Sequence, residues 1–257
     1  MTTTDLWSSI SALAKAEDIP LIGTGPCEAM AREPPGSRPA DVLPGARGVV
    51  CFGLPVPRGV YEAPAHSVEM IWRSQNLHYR RLDSLSLRIA QVLESAGERA
   101  VPVFGCCPMS INRRREVSGY VNLIAMGALV GIGSVGRNAL LVHPRHGARL
   151  MLGGVLTTAE LPSHSTEEDA LPQCPPGCRV CIDACPAGAL IEGKHPVRVM
   201  RCLSYTARTP LMSRLRFGML TAINREAAAL YMNQRGFDEH TMHVCSRCIS
   251  QCPLGVL

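Results

Sequence analysis

The sequence predicts a mixed α/β protein in two parts, an α/β domain over residues 1–160 and a smaller cysteine-rich domain over residues 161–257. Three observations carry this prediction. Up to Thr157, apolar strand-like runs alternate with stretches of helical period. Between Ala159 and Gln173 the composition turns acidic and rich in Ser, Thr and Pro, as a linker does. Beyond it, one cysteine run occurs twice.

The elements follow in order. Ser8 to Ala16 reads as a short amphipathic helix with Ile10, Leu13 and Ala14 on one face. Leu21-Ile22-Gly23 is a short strand, and Glu33 to Gly45, rich in Pro and Gly, is loop. Gly48-Val49-Val50-Cys51-Phe52-Gly53-Leu54 is continuously apolar, the mark of a strand buried on both faces. From about Ile71 to Ala96, Leu82, Leu85, Ile89, Val92 and Leu93 keep the helical period, and Gly97 supplies a C-terminal cap. Ala100 to Phe104 is the next strand, broken by Gly105-Cys106-Cys107-Pro108. Ser118 to Leu129 reads as a helix rich in small residues, and Gly131 to Asn138 as a glycine-rich loop. Two strands follow, Ala139 to His143 and Ala148 to Thr157, around the turn Pro144-Arg145-His146-Gly147. A further helical pattern runs from about Pro210 to Asn233.

The repeated runs are Cys178-Arg179-Val180-Cys181-Ile182-Asp183-Ala184-Cys185-Pro186 and Cys245-Ser246-Arg247-Cys248-Ile249-Ser250-Gln251-Cys252-Pro253, with Cys174 upstream of the first and Cys202 upstream of the second. This is the ligand pattern of a protein holding two [4Fe-4S] clusters. A C-x-x-C turn converges two thiolates, and the cysteine before Pro ligates the other cluster. The expected sets are therefore Cys174, Cys178, Cys181 and Cys252 for cluster one, and Cys185, Cys202, Cys245 and Cys248 for cluster two. Structural zinc also uses C-x-x-C pairs, but it explains neither the x-x-x-C-P tail nor its recurrence. Cys174 departs from the usual spacing, because Pro175-Pro176-Gly177 stands where two residues are common. Of the other cysteines, Cys51 belongs in the core, and Cys27, Cys106 and Cys107 in loops.

A hydrophobic content of 46% with 18% charged residues provides for a true core. The net charge of +5 permits an anionic partner without demanding one. Arg113-Arg114-Arg115 reads as a solvated loop rather than a nucleic-acid site. No stretch has the length of a membrane span, and the N-terminus carries neither a basic n-region nor a twin-arginine motif. The expected location is the cytoplasm, where thiols stay reduced and metal is the better use for cysteine than disulfides.

Gly131-Ile132-Gly133-Ser134-Val135-Gly136 matches the dinucleotide fingerprint G-x-G-x-x-G. Its context does not: a helix precedes it, strands follow it, and nothing acidic occurs until Glu160. A tight turn using glycine for positive φ is the simpler reading.

The motifs, in order, resemble the epoxyqueuosine reductases and the corrinoid-dependent reductive dehalogenases. Gly131 through Val142 is similar to that family's G-L-G-W-I-G-K-N-x-L-L-V segment, His143 through Thr157 to its hairpin, and Arg201-Cys202-Leu203-Ser204-Tyr205 to its R-C-I-S-Y. The resemblance implies a nitroreductase-like domain binding cobalamin, followed by a ferredoxin-like domain that delivers electrons to cobalt. It implies that Gly131, Gly133, Ser134, Val135, Gly136, Arg137 and Asn138 lie against the corrin. It further implies a low-potential electron donor such as ferredoxin or flavodoxin, and leaves the substrate unidentified. Three departures accompany it. The chain reads as a short form that stops at Leu257 without a C-terminal helical-repeat extension. The segment Gly105-Cys106-Cys107-Pro108 lacks the family's carboxylate, and Ser134 replaces an aromatic residue. Tyr120 is a candidate substitute proton donor, against the alternative of an ordinary packed tyrosine. The His residues show no ligand spacing. The leading expectation is a corrinoid and iron-sulfur reductase. The alternative is a non-catalytic electron carrier or accessory protein for a corrinoid enzyme, and a third reading is a nicotinamide- or flavin-linked reductase.

Overall fold

The first part of the chain is built on a five-stranded antiparallel sheet. The structure, a computed structural model, describes residues 3–63, 67–105, 109–111, 117–166, 173–193, 197–208, 211–234, 242–243 and 245–255. In chain order the elements are α1 (Thr3–Ala16), β1 (Leu21–Pro26), a 3₁₀ turn (Glu28–Arg32), α2 (Pro39–Val42), β2 (Gly48–Pro55), α3 (Gly59–Glu62) and α4 (Ser67–Ser95). Then come β3 (Ala100–Val103), β4 (Met109–Ile111), β5 (Val117–Gly119), α5 (Leu123–Leu129), β6 (Ser134–Val135), β7 (Leu141–Val142), β8 (Leu150–Thr157) and β9 (His164–Ser165). The sheet order is β3-β8-β2-β1-β9.

Continuous apolar character puts β2 and β8 at the centre, because each buries both faces. Residues on a strand alternate between faces. Val50, Phe52 and Leu54 with Met151 and Val155 face α1 and α4, where they meet Leu6, Ile10, Leu82, Leu85, Ile89 and Leu93. Val49 and Cys51 with Leu152 and Leu156 face the other way, against Met126, Val130, Ile132 and Leu141. The register sets Phe52 opposite Gly153, and a Cβ on Gly153 would meet the Phe52 ring at 2.8 Å. The glycine therefore makes room for the aromatic ring on the α4 side of the sheet.

Several expected elements change in detail. The helix expected from Ser118 starts only at Leu123. Ser118 and Gly119 are poor helix formers and pair as β5 with β4, while the Asn122 side chain caps α5 by accepting the Ala125 N–H at 3.1 Å. The strand expected over Ala139 to His143 shrinks to Leu141–Val142, because Ala139 takes a positive φ of 55°. The loop from Glu33 to Gly45 contains the one-turn helix α2, whose Asp41 carboxylate accepts the Gly36 N–H at 2.7 Å. The start of the expected linker is part of the sheet. Leu161 is buried, β9 pairs with β1, and the Thr24 hydroxyl donates to the Pro162 carbonyl at 2.8 Å. The acidic residues Glu167, Glu168 and Asp169 lie outside the described residues, as do Cys106, Cys107 and the Arg113–Arg115 run.

The cysteine-rich part carries α6 (Val180–Asp183), α7 (Val199–Thr206), β10 (Ala207–Arg208), α8 (Leu211–Ile223), α9 (Arg225–Gln234), β11 (Met242–His243) and α10 (Arg247–Ser250). The expected helical stretch to Asn233 is two helices, since Asn224 ends α8 and its side chain accepts the N–H groups of Glu226 and Ala227 at the start of α9. No helix among the described residues is long and apolar enough to cross a membrane.

Phe52 is wholly buried between α4 and the central strands. Phe52→Ala is expected to lower stability by about 3–5 kcal/mol, read as a shift of the urea midpoint at unchanged slope. A shift typical of a surface substitution would contradict the packing described here.

Candidate metal centre

The glycine-rich loop forms a small hairpin. β6 pairs with β7 through Ser134–Val142 and Val135–Leu141, with no helix after it, so the context of a dinucleotide site is absent. A Cβ on Gly133 would meet the Val142 carbonyl at 2.6 Å, and one on Gly136 would meet the Asn138 side chain at 2.6 Å. At these two positions the hairpin itself takes up the close approach that glycine permits.

The end of this loop reaches the cysteines. The Arg137 N–H donates to the Cys174 sulfur at 3.4 Å, and the buried Asn138 side chain donates to the Cys248 carbonyl at 3.1 Å. Further along, the wholly buried His143 accepts the N–H groups of Arg145 and His146 on Nδ1, at 3.0 and 3.3 Å, which shapes the turn before β8. Gly147 in that turn, at φ +58°, abuts Gly255 and Leu254, and a Cβ on either glycine would overlap backbone of the other segment. The last cysteine run is thereby docked on the hairpin.

Cys174, Cys178, Cys181 and Cys252 line one cavity together with Arg137, Asn138 and Val142. Cys252 stands here although its own run begins at Cys245. Burial raises the Cys181 thiol first, and the neighbouring Cys174, Cys252 and Cys178 raise it further. Burial likewise raises Cys252, opposed by a backbone N–H at Leu254 and reinforced by Cys174 and Cys178. A second group forms around Cys202, raised by burial and then by Cys245 and Cys185. Cys248 is pushed up to about 12 by burial and then by Cys202, Cys245, Cys181 and Cys185, so the two groups adjoin. Cys185 is the exception. Burial raises it, but the N–H groups of Leu190, Ala189, Ala187 and Gly188 outweigh this and lower it, with the Ala189 N–H at 3.3 Å from sulfur. The Thr206 hydroxyl, at the end of α7, accepts the Cys245 N–H at 3.0 Å and ties the second run to the helix that carries Cys202.

Among the described residues no three His, Cys, Asp or Glu side chains converge tightly enough to hold a single metal ion. Thiols spread around an open cavity suit a larger body, and crowded thiols ionise together only with a cation among them. Arg137 lies 3.9 Å from Glu192, which Arg179 also pairs at 2.6 Å; these exposed ion pairs add little energy.

Tyr120 is 42% exposed and lines neither this cavity nor the one beside Cys252 described below. Sequence reasoning sought a carboxylate within residues 105–108 and found none. The fold brings one from α4: the Asp83 carboxylate accepts the Gly105 N–H at 3.1 Å. On the same helical face, seven residues earlier, Asn76 is buried with neither its nitrogen nor its oxygen hydrogen-bonded. The signal was present in the chain, since Asn76 is a polar residue on the buried side of an amphipathic helix.

No protein-family model matches the chain. The epoxyqueuosine reductase of Bacillus cereus is 26% identical over 181 residues, which cover 67% of this chain and 43% of that protein. The crystal structure of an epoxyqueuosine reductase with an epoxyqueuosine-modified tRNA stem loop aligns over 99% of this chain and 66% of its own, with 18% identity and a TM-score of 0.58. A catabolic reductive dehalogenase aligns over 88% of this chain and 35% of its own, with 16% identity and a TM-score of 0.52. The match to the Bacillus cereus relative spans less than half of that protein's length. The sequence likeness bears out the resemblance to the epoxyqueuosine reductases, and the mixed α/β fold is shared with both kinds of solved structure.

Burial raises the Asp83 carboxyl, partly offset by the Gly105 N–H that it accepts. The folded chain then binds this proton more tightly than the unfolded chain, so stability falls as pH rises from the unfolded value of about 4 through the folded value. Asp83→Asn is expected to flatten that decline in urea midpoints taken across the acidic range. An unchanged slope would show the carboxyl to be solvated.

Proposed function

We propose that this relative of the epoxyqueuosine reductases is an oxidoreductase that holds two [4Fe-4S] clusters and passes electrons through them to a corrinoid, for the reduction of a substrate. Residues 1–160, with edge strand β9, form a nitroreductase-like part that binds the corrinoid. The ferredoxin-like remainder of residues 161–257 holds the clusters. Cluster one takes Cys174, Cys178, Cys181 and Cys252, and cluster two takes Cys185, Cys202, Cys245 and Cys248. The observation that carries this reading is Cys252, which lines a cavity with Cys178 and Cys181 of the other run and with Cys174 upstream of it. Such crossing is the habit of two-cluster ferredoxins.

The chain's own groups tune the clusters. N–H groups directed at Cys185 and Cys174 favour the more negative, reduced state at those sulfurs, while burial of Cys248 opposes it. When bound, the corrinoid supplies the metal-centred reduction that side chains cannot perform. Two polar groups of α4 are open to a ligand's polar rim: Asp83, against Gly105, offers a carboxyl that retains its proton to higher pH than usual, and Asn76, two turns back on the same helix, offers an unsatisfied amide. Asp83 takes precedence over the exposed Tyr120 as the group to hold a proton there. The reduced thiols suit a cytoplasmic setting and a low-potential donor such as ferredoxin or flavodoxin. A relative crystallised with a modified tRNA stem loop makes that nucleic acid the first substrate to test.

Anaerobic reconstitution is expected to give about eight irons and eight sulfides per chain, with turnover of an epoxyqueuosine stem loop once cobalamin and a low-potential reductant are added. Cys252→Ser is expected to lose about half of the iron. Adding Cys178→Ser should cost no more, whereas adding Cys248→Ser should remove the rest. Zinc without sulfide in oxygen-free protein would overturn the reading.

A further inference from the structure

A second cavity, open to solvent, lies beside the first and shares Cys252 and Leu254 with it. Its wall comes from α3, the turn before β8 and the end of the last cysteine run, through Arg58, Tyr61, Glu62, His146, Arg149 and Ser250 among others. Apart from the Cys252 sulfur, which faces the cysteine group, the charged side chains on this wall do not balance. Arg58 is paired with Glu62 at 2.5 Å. Arg149 is half-buried and, among the described residues, gives one side-chain hydrogen bond, to the neutral Val56 carbonyl at 2.9 Å. Among the described residues no carboxylate pairs with it. A guanidinium withdrawn from water without an anion is costly, and its fork matches oxygen pairs on carboxylates and phosphates. The Tyr61 and Ser250 hydroxyls and the His146 ring lie on the same wall.

We propose that this cavity is an oxyanion site, taking a ligand group with a single negative charge on oxygen, a phosphodiester or a carboxylate, anchored by Arg149. The single charge follows from the wall: Arg58 and Glu62 cancel, which leaves one cation to answer. The site lies beyond the glycine-rich loop and the Gly105 region, and it stands on its own geometry rather than on the corrinoid reading. Because Cys252 lines both cavities, a ligand anchored here sits against a sulfur of the cysteine group, within reach of any electron leaving it.

The test is a titration of the full chain with dimethyl phosphate and, separately, acetate, following broadening of the ligand methyl resonance. Iron content is measured on the same sample, so that loss of clusters and loss of anion binding are read apart. Saturable binding of at least one anion is expected. Arg149→Gln should weaken it about tenfold, and Arg149→Lys should weaken it less, because charge survives but the fork does not. Glu62→Gln, at an exposed rim position where folding is not at stake, should strengthen binding several-fold by removing the competing carboxylate. No saturable binding of either anion would overturn the proposal and leave Arg149 as a counter-ion to the neighbouring thiolates. An indifferent Glu62→Gln, or binding unchanged in a folded Arg149→Gln, would overturn it equally.

Discussion

The seam between the β6–β7 hairpin and the last cysteine run is the constraint on which the rest depends. At its centre two glycines, Gly147 and Gly255, bring backbone against backbone with no space for a Cβ on either. On one side Asn138 holds the Cys248 carbonyl, and on the other the Arg137 N–H reaches the Cys174 sulfur. Each contact is worth about 1 kcal/mol, so none fixes the geometry alone. Together they join the loop both to Cys174, 37 positions from Arg137, and to the last run, since Asn138 and Cys248 are separated by 110 positions. Without the seam, Cys252 has no reason to lie with Cys174, Cys178 and Cys181.

That placement has an electrostatic consequence. Thiols brought together in a half-buried space raise one another, and burial adds to the effect, as at Cys181, Cys202 and Cys248. The arrangement is unfavourable for thiolates alone and favourable for thiolates around a cation. A fold that gathers cysteines in this way spends stability that metal binding restores. The backbone N–H groups around Cys185 moderate the cost at one corner. The hairpin glycines belong to the same economy of space: Gly133 and Gly136 bend the chain tightly enough for Arg137 and Asn138 to reach the sulfur-bearing segments.

Much of this was legible in the chain because the signals were local. The apolar run at Gly48–Leu54 announced a strand buried on both faces, and Val50 and Cys51 do point into different cores. The period from Leu82 to Leu93 announced α4 and the face that it buries. The cysteine spacing grouped Cys252 with the distant run. What was missed depends on tertiary contact. Strand β9 is two residues within a polar stretch, and only β1 beside it makes it a strand. Asp83 lies on a helix, and nothing in its neighbours announces that its carboxylate will hold Gly105. Arg149, Arg58 and Tyr61 come from segments that no motif joins. Ser118 and Gly119 were drawn into a helix by the apolar residues that follow, although the capping Asn122 marked the true start.

The layout around Cys252 also bears on direction. The first cavity is lined by sulfur, Arg137 and apolar groups. The second, which shares Cys252 and Leu254 with it, is lined by hydroxyls, an imidazole, two guanidinium groups and the Glu62 carboxylate. One wall thus separates a space suited to a redox-active metal body from a space suited to a charged organic group. A group in the second space meets polar donors and the Cys252 sulfur, so an electron delivered there under the proposed function would arrive where a developing negative charge is stabilised. The same wall is pinned by the Gly147–Gly255 contact. Under the proposed function, a shift at the seam would change both the distance from the cysteine group to the second space and the reach of Arg149, so that cluster binding and anion binding would be two readings of one contact.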